Sequence, residues 1–271
     1  LGRWSRGLGD VYKRQFPTDA WRLSNEYLPP QLAHNLYMEY VRKSANDKWM
    51  ITLGGYYRTM EDLKDYIDFA DLTVNEYLET ETILVDGRAY GLEVLLNKNT
   101  GKLKGSVAYT FSSSERKSGS DNDNFSIYNG ELYLSNYDKP NEVNLFLNYS
   151  FNKRHNFSIT FNYATGRPVT APIGYYDVTE GSRVPIYSNR NELRIPDYHR
   201  LDIVYTLGQG HRRNKKWRSS WAFGIYNVYG RENAYSVYFT QAPYSAVQAN
   251  KFSILGSAFP AITYNFKFTG K

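Results

Sequence analysis

The chain has four histidines, His34, His155, His199 and His211, and no cysteine. A metal centre or a nucleophile–base pair needs such side chains brought together. None of the four stands three to five residues from another, and no HExxH occurs, so they read as polar residues at strand ends. Carboxylate pairs such as Asp65/Asp68 and Glu79/Glu81 have spacings used in acid–base work and calcium binding. The stretch around them lacks a DxDxDG pattern and reads as a solvated loop. The run YATGRPV from Tyr163 holds a glycine and an arginine without the Gly-Lys-Ser/Thr of a phosphate loop, and reads as a turn after Tyr163. One grouping remains. Tyr175, Tyr176 and Tyr187 share a long connection with Arg183 and Arg190, and loop aromatics beside arginines grip ligands by stacking and hydrogen bonding. No catalytic residue, metal ligand or cofactor site is expected, and the chain reads as no enzyme.

These side chains sit on a backbone of unusual composition. The 271 residues include 26 Tyr, 14 Phe and 5 Trp, 17% aromatic in all. Tyrosine at that density suits strands and boundaries between wet and apolar surroundings. Mean hydropathy is −0.60, and no run of 18 apolar residues occurs, which excludes transmembrane helices. The formal charge of +6 is partly local. Residues 1–15 carry Arg3, Arg6, Lys13 and Arg14 against Asp10, lack the apolar core of a signal peptide, and end in GDVYKRQ, which resembles translated adapter sequence. They read as a non-native, adapter-derived leader, leaving 16–268 as the folded segment and 269–271 as a tail.

The dominant period is two. Apolar and polar residues alternate through 103–111, 143–151, 157–163, 201–207, 221–225 and 262–268, with less regular runs near 33–44, 48–60 and 87–97. Alternation of this kind gives a strand one apolar and one polar face. The count is about nine long strands with no convincing helix: an all-β antiparallel meander. Short links (Ser44–Asp47, Asn97–Gly101, Asn152–His155, Gly208–Lys216) alternate with long ones (roughly 61–86, 114–140, 166–197 and 230–259). That is the layout of an outer-membrane barrel with tight periplasmic turns and long outer loops. Charge follows the same division. Stretch 61–86 holds Glu61, Asp62, Asp65, Asp68, Asp71, Glu76, Glu79, Glu81 and Asp86 against Lys64. Lys43, Lys48, Lys98, Lys102, Lys153, Arg154, Arg212, Arg213, Lys215 and Lys216 gather at the short links. Nucleic-acid binding would need cations and stacking aromatics on one surface, and here the aromatics lie on the face opposite the polar residues. Tyr149, Phe151, Tyr163, Tyr205, Trp221, Tyr264 and Phe266 read as lipid-facing bodies and an interfacial girdle. Bacterial barrels close with even strand numbers, so nine strands predict an open piece of a larger barrel.

Several segments carry a family resemblance: YATGRPVTAP (163–172), PDYHRLDIVY (196–205), WAFGIYNVYGRENAYSVYF (221–239), FPAITYNFKF (259–268) and GRAYGLEVLLNKNTGKLKGSVAYTFS (87–112). Together, in this order, they resemble the C-terminal barrel of TonB-dependent outer-membrane receptors, especially the Bacteroidetes type. The resemblance implies the last nine or so strands of a 22-stranded transmembrane β-barrel with a plugged lumen, integral to the outer membrane of a Gram-negative bacterium. It implies active uptake of a scarce solute, whether siderophore, cobalamin, glycan or peptide. Its partners would be the lipid bilayer, the outer-membrane assembly machinery and, through an N-terminal part absent here, the TonB complex; no nucleic acid is among them. Such barrels usually finish on an aromatic, whereas Thr269, Gly270 and Lys271 follow Phe268. Two other readings stay open: a complete small passive porin-type barrel, and a soluble β-rich glycan-binding or adhesin module.

Overall fold

A computed structural model describes residues 23–68, 70, 75, 77–119, 126–178, 182–208, 217–240, 247–254 and 256–268. The expected leader 1–15 and tail 269–271, with His211 and the cations at 212–216, lie outside them. The chain begins with β1 (Leu32–Lys43), β2 (Trp49–Tyr66), β3 (Thr82–Lys98) and β4 (Leu103–Ser118), then the short β5 (Leu132–Leu134), β6 (Asn141–Ser150) and β7 (His155–Ala164). The next long link holds β8 (Pro168–Val169), β9 (Pro172–Val178), β10 (Ser182–Tyr187) and β11 (Leu193–Arg194). After β12 (Tyr198–Gly208) and β13 (Trp217–Tyr226) comes a hairpin of β14 (Ala234–Thr240) and β15 (Gln248–Ser253), and the last strand is β16 (Phe259–Phe268). Among the described residues the only helical turns are two four-residue 3-10 segments, Leu78–Glu81 and Ile127–Gly130.

Nine strands form one sheet in the order β1-β2-β3-β4-β6-β7-β12-β13-β16, with β5 paired to β4. It is the expected meander. β1 and β16 stand at opposite ends of that order, and β1 is exposed along its whole length. Strands β6, β7, β13 and β16 are 10 residues long and β12 is 11, the length a tilted strand needs to cross a bilayer.

The register shows why the alternation matters. Val107 pairs Leu145 and Tyr109 pairs Val143; Leu145 pairs Phe161 and Leu147 pairs Ile159. Phe161 pairs Leu201 and Ile159 pairs Ile203; Ile203 pairs Ile225 and Tyr205 pairs Phe223; Phe223 pairs Ile262 and Trp221 pairs Tyr264. Directly paired residues share a face, so six consecutive strands raise one unbroken apolar band. Along β12 it runs from Leu201 to Leu207, about 20 Å at the usual strand rise. Val107, Tyr109, Trp221, Phe223, Ile225, Ile262, Tyr264 and Phe266 are exposed, while Leu145, Phe161, Leu201 and Ile203 are half-buried. The opposite face is a polar ladder. Asn162 donates to Asn144 at 2.6 Å, Asn148 to Ser158 at 2.7 Å, and Ser150 to Asn156 at 2.6 Å.

The chain divides into two compact units. One draws on the chain up to Asn35 with Arg58–Arg88 and Glu115–Tyr133. It has a small dry core of Ile83, Val85, Ile127 and Tyr133, against which Leu63 and Ile67 pack. Asp65 accepts from Arg116 and from the Tyr133 hydroxyl, both at 2.9 Å. These contacts correct the expected loop 61–86: β2 continues to Tyr66 and β3 begins at Thr82, so Glu61, Asp62, Asp65 and Asp86 lie on strands. Pairing Asp65 with Arg116 makes a carboxylate tolerable there, and burial of Ile83 and Val85 holds the extension, at about 1.5–3 kcal/mol for each fully buried side chain. The other unit takes Leu36–Tyr57, Ala89–Ser114 and Leu134–Lys271 and contains the paired band and ladder described above.

Candidate functional site

In the second unit, the long-link ends of β7, β12 and β13 carry a hydrogen-bonded scaffold. Asp197, just before β12, accepts from the Tyr163 hydroxyl at 2.7 Å and from the Gly166 amide at 2.9 Å, while Arg231 donates to its carbonyl at 2.8 Å. Asp202, 5% exposed, accepts from the Asn227 amide at 2.9 Å. Asn227 turns the chain at a φ of 53°, a left-handed conformation that asparagine tolerates better than most residues, and its side chain exchanges hydrogen bonds with the Arg231 backbone. His199 and Asn233 bond reciprocally at 3.1 and 2.9 Å, and the His199 ring meets the Tyr229 hydroxyl at 2.6 Å. Burial pushes the Tyr229 hydroxyl up from its ordinary value.

Asp197 is held below its ordinary value of 3.8, first by the Gly166 amide and then by the Tyr163 hydroxyl. A carboxylate depressed in the folded state stabilises fully above its unfolded value, and that stability is lost as pH falls through the folded value. Amide exchange at Gly166, corrected for its intrinsic rate, should therefore accelerate below about pH 4. Asp197→Asn should remove that acid-sensitive increment. An unchanged increment in the variant would show that the carboxylate is not its source.

A second anchor ties the long link 165–197 to residues 134–139. Arg194 bonds the Asp138 carboxylate, whose side chain is 1% exposed, and also donates to the Asp138 carbonyl at 3.1 Å and the Gly166 carbonyl at 3.0 Å. Asp138 accepts in addition from the Ser114 amide at 2.7 Å. Asn191, at a φ of 55°, donates to the Leu134 carbonyl at 2.6 Å.

Beside this scaffold opens a cleft of about 520 Å³, where Glu142, Asn144 and Asn162 from the polar ladder meet Lys139, Arg167, Tyr198, Asn233 and Tyr235. Lys139 and Arg167 make no ion pair among the described residues. Amides, two cations, one carboxylate and tyrosine rings can hold a polar solute by hydrogen bonds and stacking. The arrangement offers no nucleophile–base pair.

The residues singled out from sequence lie elsewhere in the link. Tyr175 and Tyr176 are on β9, Arg183 and Tyr187 on β10, with Arg183 at the register position opposite Asp177 and Tyr175 opposite Pro185. Strand alternation places Tyr175 and Tyr176 on opposite faces of this hairpin, so a ligand on one face meets one of them. Tyr176 is 66% and Tyr187 42% exposed, and Arg190 is half-buried in the turn that follows. Of the girdle set, Tyr149, Phe151, Tyr205, Trp221, Tyr264 and Phe266 lie toward the short-link ends of their strands, with Tyr149–Phe151 and Trp221–Tyr264 ring contacts at 4.9 and 4.7 Å. Tyr163 sits at the other end, bound to Asp197. His155 meets the Tyr205 hydroxyl, and His34 is exposed on β1. Sequence reasoning assigned no role to Asp138, Asp197, Asp202, Asn227 or Arg231. Asp197, Asp202, Asn227 and Arg231 lie inside the family-like segments, which was their signal; Asp138 lies outside all of them and carried none.

No family model matches the sequence, and no curated protein matches it. Among solved structures the chain is similar to the ferripyoverdine receptor of the outer membrane of Pseudomonas aeruginosa, determined bound to ferripyoverdine. The TM-score is 0.51 at 11% identity, over 89% of this chain and 27% of that receptor. Identity this low speaks for the fold alone: the chain folds like part of an outer-membrane receptor barrel.

Proposed function

We propose that this chain is the C-terminal wall of a TonB-dependent outer-membrane receptor, of the Bacteroidetes type, that takes up a scarce solute. The observation that carries this reading is the unbroken apolar band, exposed on β4, β13 and β16 and half-buried on the strands between, backed by polar side chains. One face suits lipid and the other a solvated lumen, while open sheet edges are not tolerated in hydrocarbon, so β1 and β16 call for further strands of a 22-stranded barrel. The solute, a siderophore, cobalamin, a glycan or a peptide, would meet the cleft at the long-link end. Plug and TonB contacts belong to sequence outside this chain, and membrane insertion would pass through the outer-membrane assembly machinery. In this reading the chain supplies a rigid wall and part of a binding surface, with no bond made or broken.

Because the chain has no cysteine, single-cysteine labelling reads the two faces cleanly. With this chain in its complete barrel in bilayers, Ile203→Cys should react with a membrane-dissolved maleimide and resist a water-soluble one, while Thr160→Cys should do the reverse. Equal reaction of both positions with the water-soluble reagent would sink the membrane-wall reading. A steady ohmic conductance from this chain alone in planar bilayers would favour the passive porin instead.

A further inference from the structure

The short-link edge of the sheet carries a second feature. Its turns are laced into one row by backbone hydrogen bonds: Asn99 donates to the Lys48 carbonyl at 3.0 Å, Ser150 to the Lys102 carbonyl at 2.8 Å, and Gly208 to the Arg154 carbonyl at 2.7 Å. Lys43, Lys48, Lys98, Lys102, Lys153 and Arg154 therefore stand along one continuous rim, with Asp47 the only carboxylate in these three turns. None of the six cations makes an ion pair among the described residues. All but Lys98 are exposed. Lys98 lies 5.6 Å from the centroid of the Trp49 ring, and exposed Phe151 directly precedes the Asn152–His155 turn. A solvated turn on a soluble face would have scattered countercharges. Here cations stand above the edge of an apolar band, beside aromatic rings, at the level where lipid head groups lie.

We propose that this rim is a binding surface for anionic phospholipid head groups. The five exposed cations meet lipid phosphates, Lys98 stays bonded to the Thr100 and Leu103 carbonyls, and Trp49 and Phe151 seat at the acyl boundary. The proposal rests on the bilayer-spanning reading above. It adds to that reading a preference for one lipid charge class at one edge of the wall. Phosphate attracts each nearby cation through a Coulomb field that salt screens, so the preference must be salt-sensitive.

The test is tryptophan quenching by brominated lipids, with Trp49 and Trp221 both partly exposed. The complete barrel containing this chain is reconstituted in vesicles of phosphatidylcholine with increasing phosphatidylglycerol, either lipid being the brominated one. We expect phosphatidylglycerol to be preferred by about fivefold or more, with the preference falling toward unity in 0.5 M salt, a screening length of ~4 Å. The pair Lys102→Gln/Lys153→Gln should lower it severalfold. The pair Lys117→Gln/Lys251→Gln removes the same charge from the long-link end of β4 and from β15, and should leave it intact. No preference in the unmodified chain, or equal loss in both pairs, would overturn the proposal. If neither brominated lipid quenches the complete barrel, this wall is not in the bilayer, and the spanning reading fails together with this one.

Discussion

Gly166→Ala should unseat the long link 165–197 from the end of β7. A β-carbon at Gly166 would lie 1.7 Å from the Ile195 carbonyl oxygen and 2.7 Å from its carbon. Both atoms are backbone, so no rotamer change relieves the clash. The two strands of chain must part, and parting them strains what the same place holds together: the Gly166 amide on Asp197 at 2.9 Å, the Ile195 amide on the Arg167 carbonyl at 3.1 Å, and Arg194 on the Gly166 carbonyl at 3.0 Å. Overpacking alone costs about 1–3 kcal/mol, and losing these hydrogen bonds adds about 1 kcal/mol each. Gly174→Ala is the control, since its β-carbon would meet only the Ile186 side chain at 3.9 Å. Limited proteolysis of the complete barrel containing this chain should cut link 165–197 at least tenfold faster in Gly166→Ala and at the unmodified rate in Gly174→Ala. Equal rates in the two variants would show that the close approach is not required.

Asp138→Ala should cost about 1.5–3 kcal/mol, the range for losing a hydrogen bond to a charged group, because the Arg194 left behind is partly exposed and keeps its carbonyl acceptors. The Asp138 carboxylate is almost wholly buried and serves both the Arg194 guanidinium and the Ser114 amide. Its removal leaves a half-buried cation and an unpaired amide where residues 134–139 and the long link meet. Asp138→Asn keeps an acceptor for Ser114 and should cost less. A double-mutant cycle with Arg194→Ala separates the pair from its surroundings: the double variant should be more stable than the sum of the single losses predicts, by about 1 kcal/mol or more. Thermal unfolding in detergent reads the cycle. Strict additivity would mean that Arg194 and Asp138 do not hold the link together.

Both variants act on contacts that no local pattern announces. Arg194 and Asp138 are 56 residues apart, and Gly166 and Asp197 are 31 apart. The runs YATGRPV, PDYHRLDIVY and WAFGIYNVYGRENAYSVYF are visible in the sequence as separate strings. Only the folded chain shows Tyr163, Asp197, His199, Asn227, Arg231 and Asn233 meeting at one end of the sheet. The extension of β2 and β3 was hidden for a related reason. Asp62 and Asp65 interrupt the apolar alternation, and the partners that make Asp65 acceptable, Arg116 and Tyr133, are 51 and 68 residues away. Residue type alone marks the tyrosines and arginines of the link 166–197, but type carries no facing, and strand alternation in the β9–β10 hairpin sets Tyr175 and Tyr176 back to back.

The sheet is legible in the order of residues alone. Alternation from Val143 to Phe151, Phe157 to Tyr163 and Leu201 to Leu207, with short and long links in turn, specified long antiparallel strands with one apolar and one polar face. Side-chain direction in a strand is a local property of the backbone, reversing at every residue, so composition at period two is enough to read it. Tertiary structure alone decided which apolar residues would stay uncovered, which carboxylates would be buried, and where the cleft would open. Those outcomes depend on register and on partners dozens of residues distant. The same alternating strand would serve a dry core as well as a lipid face, and the choice between them is made only when its neighbours are in place.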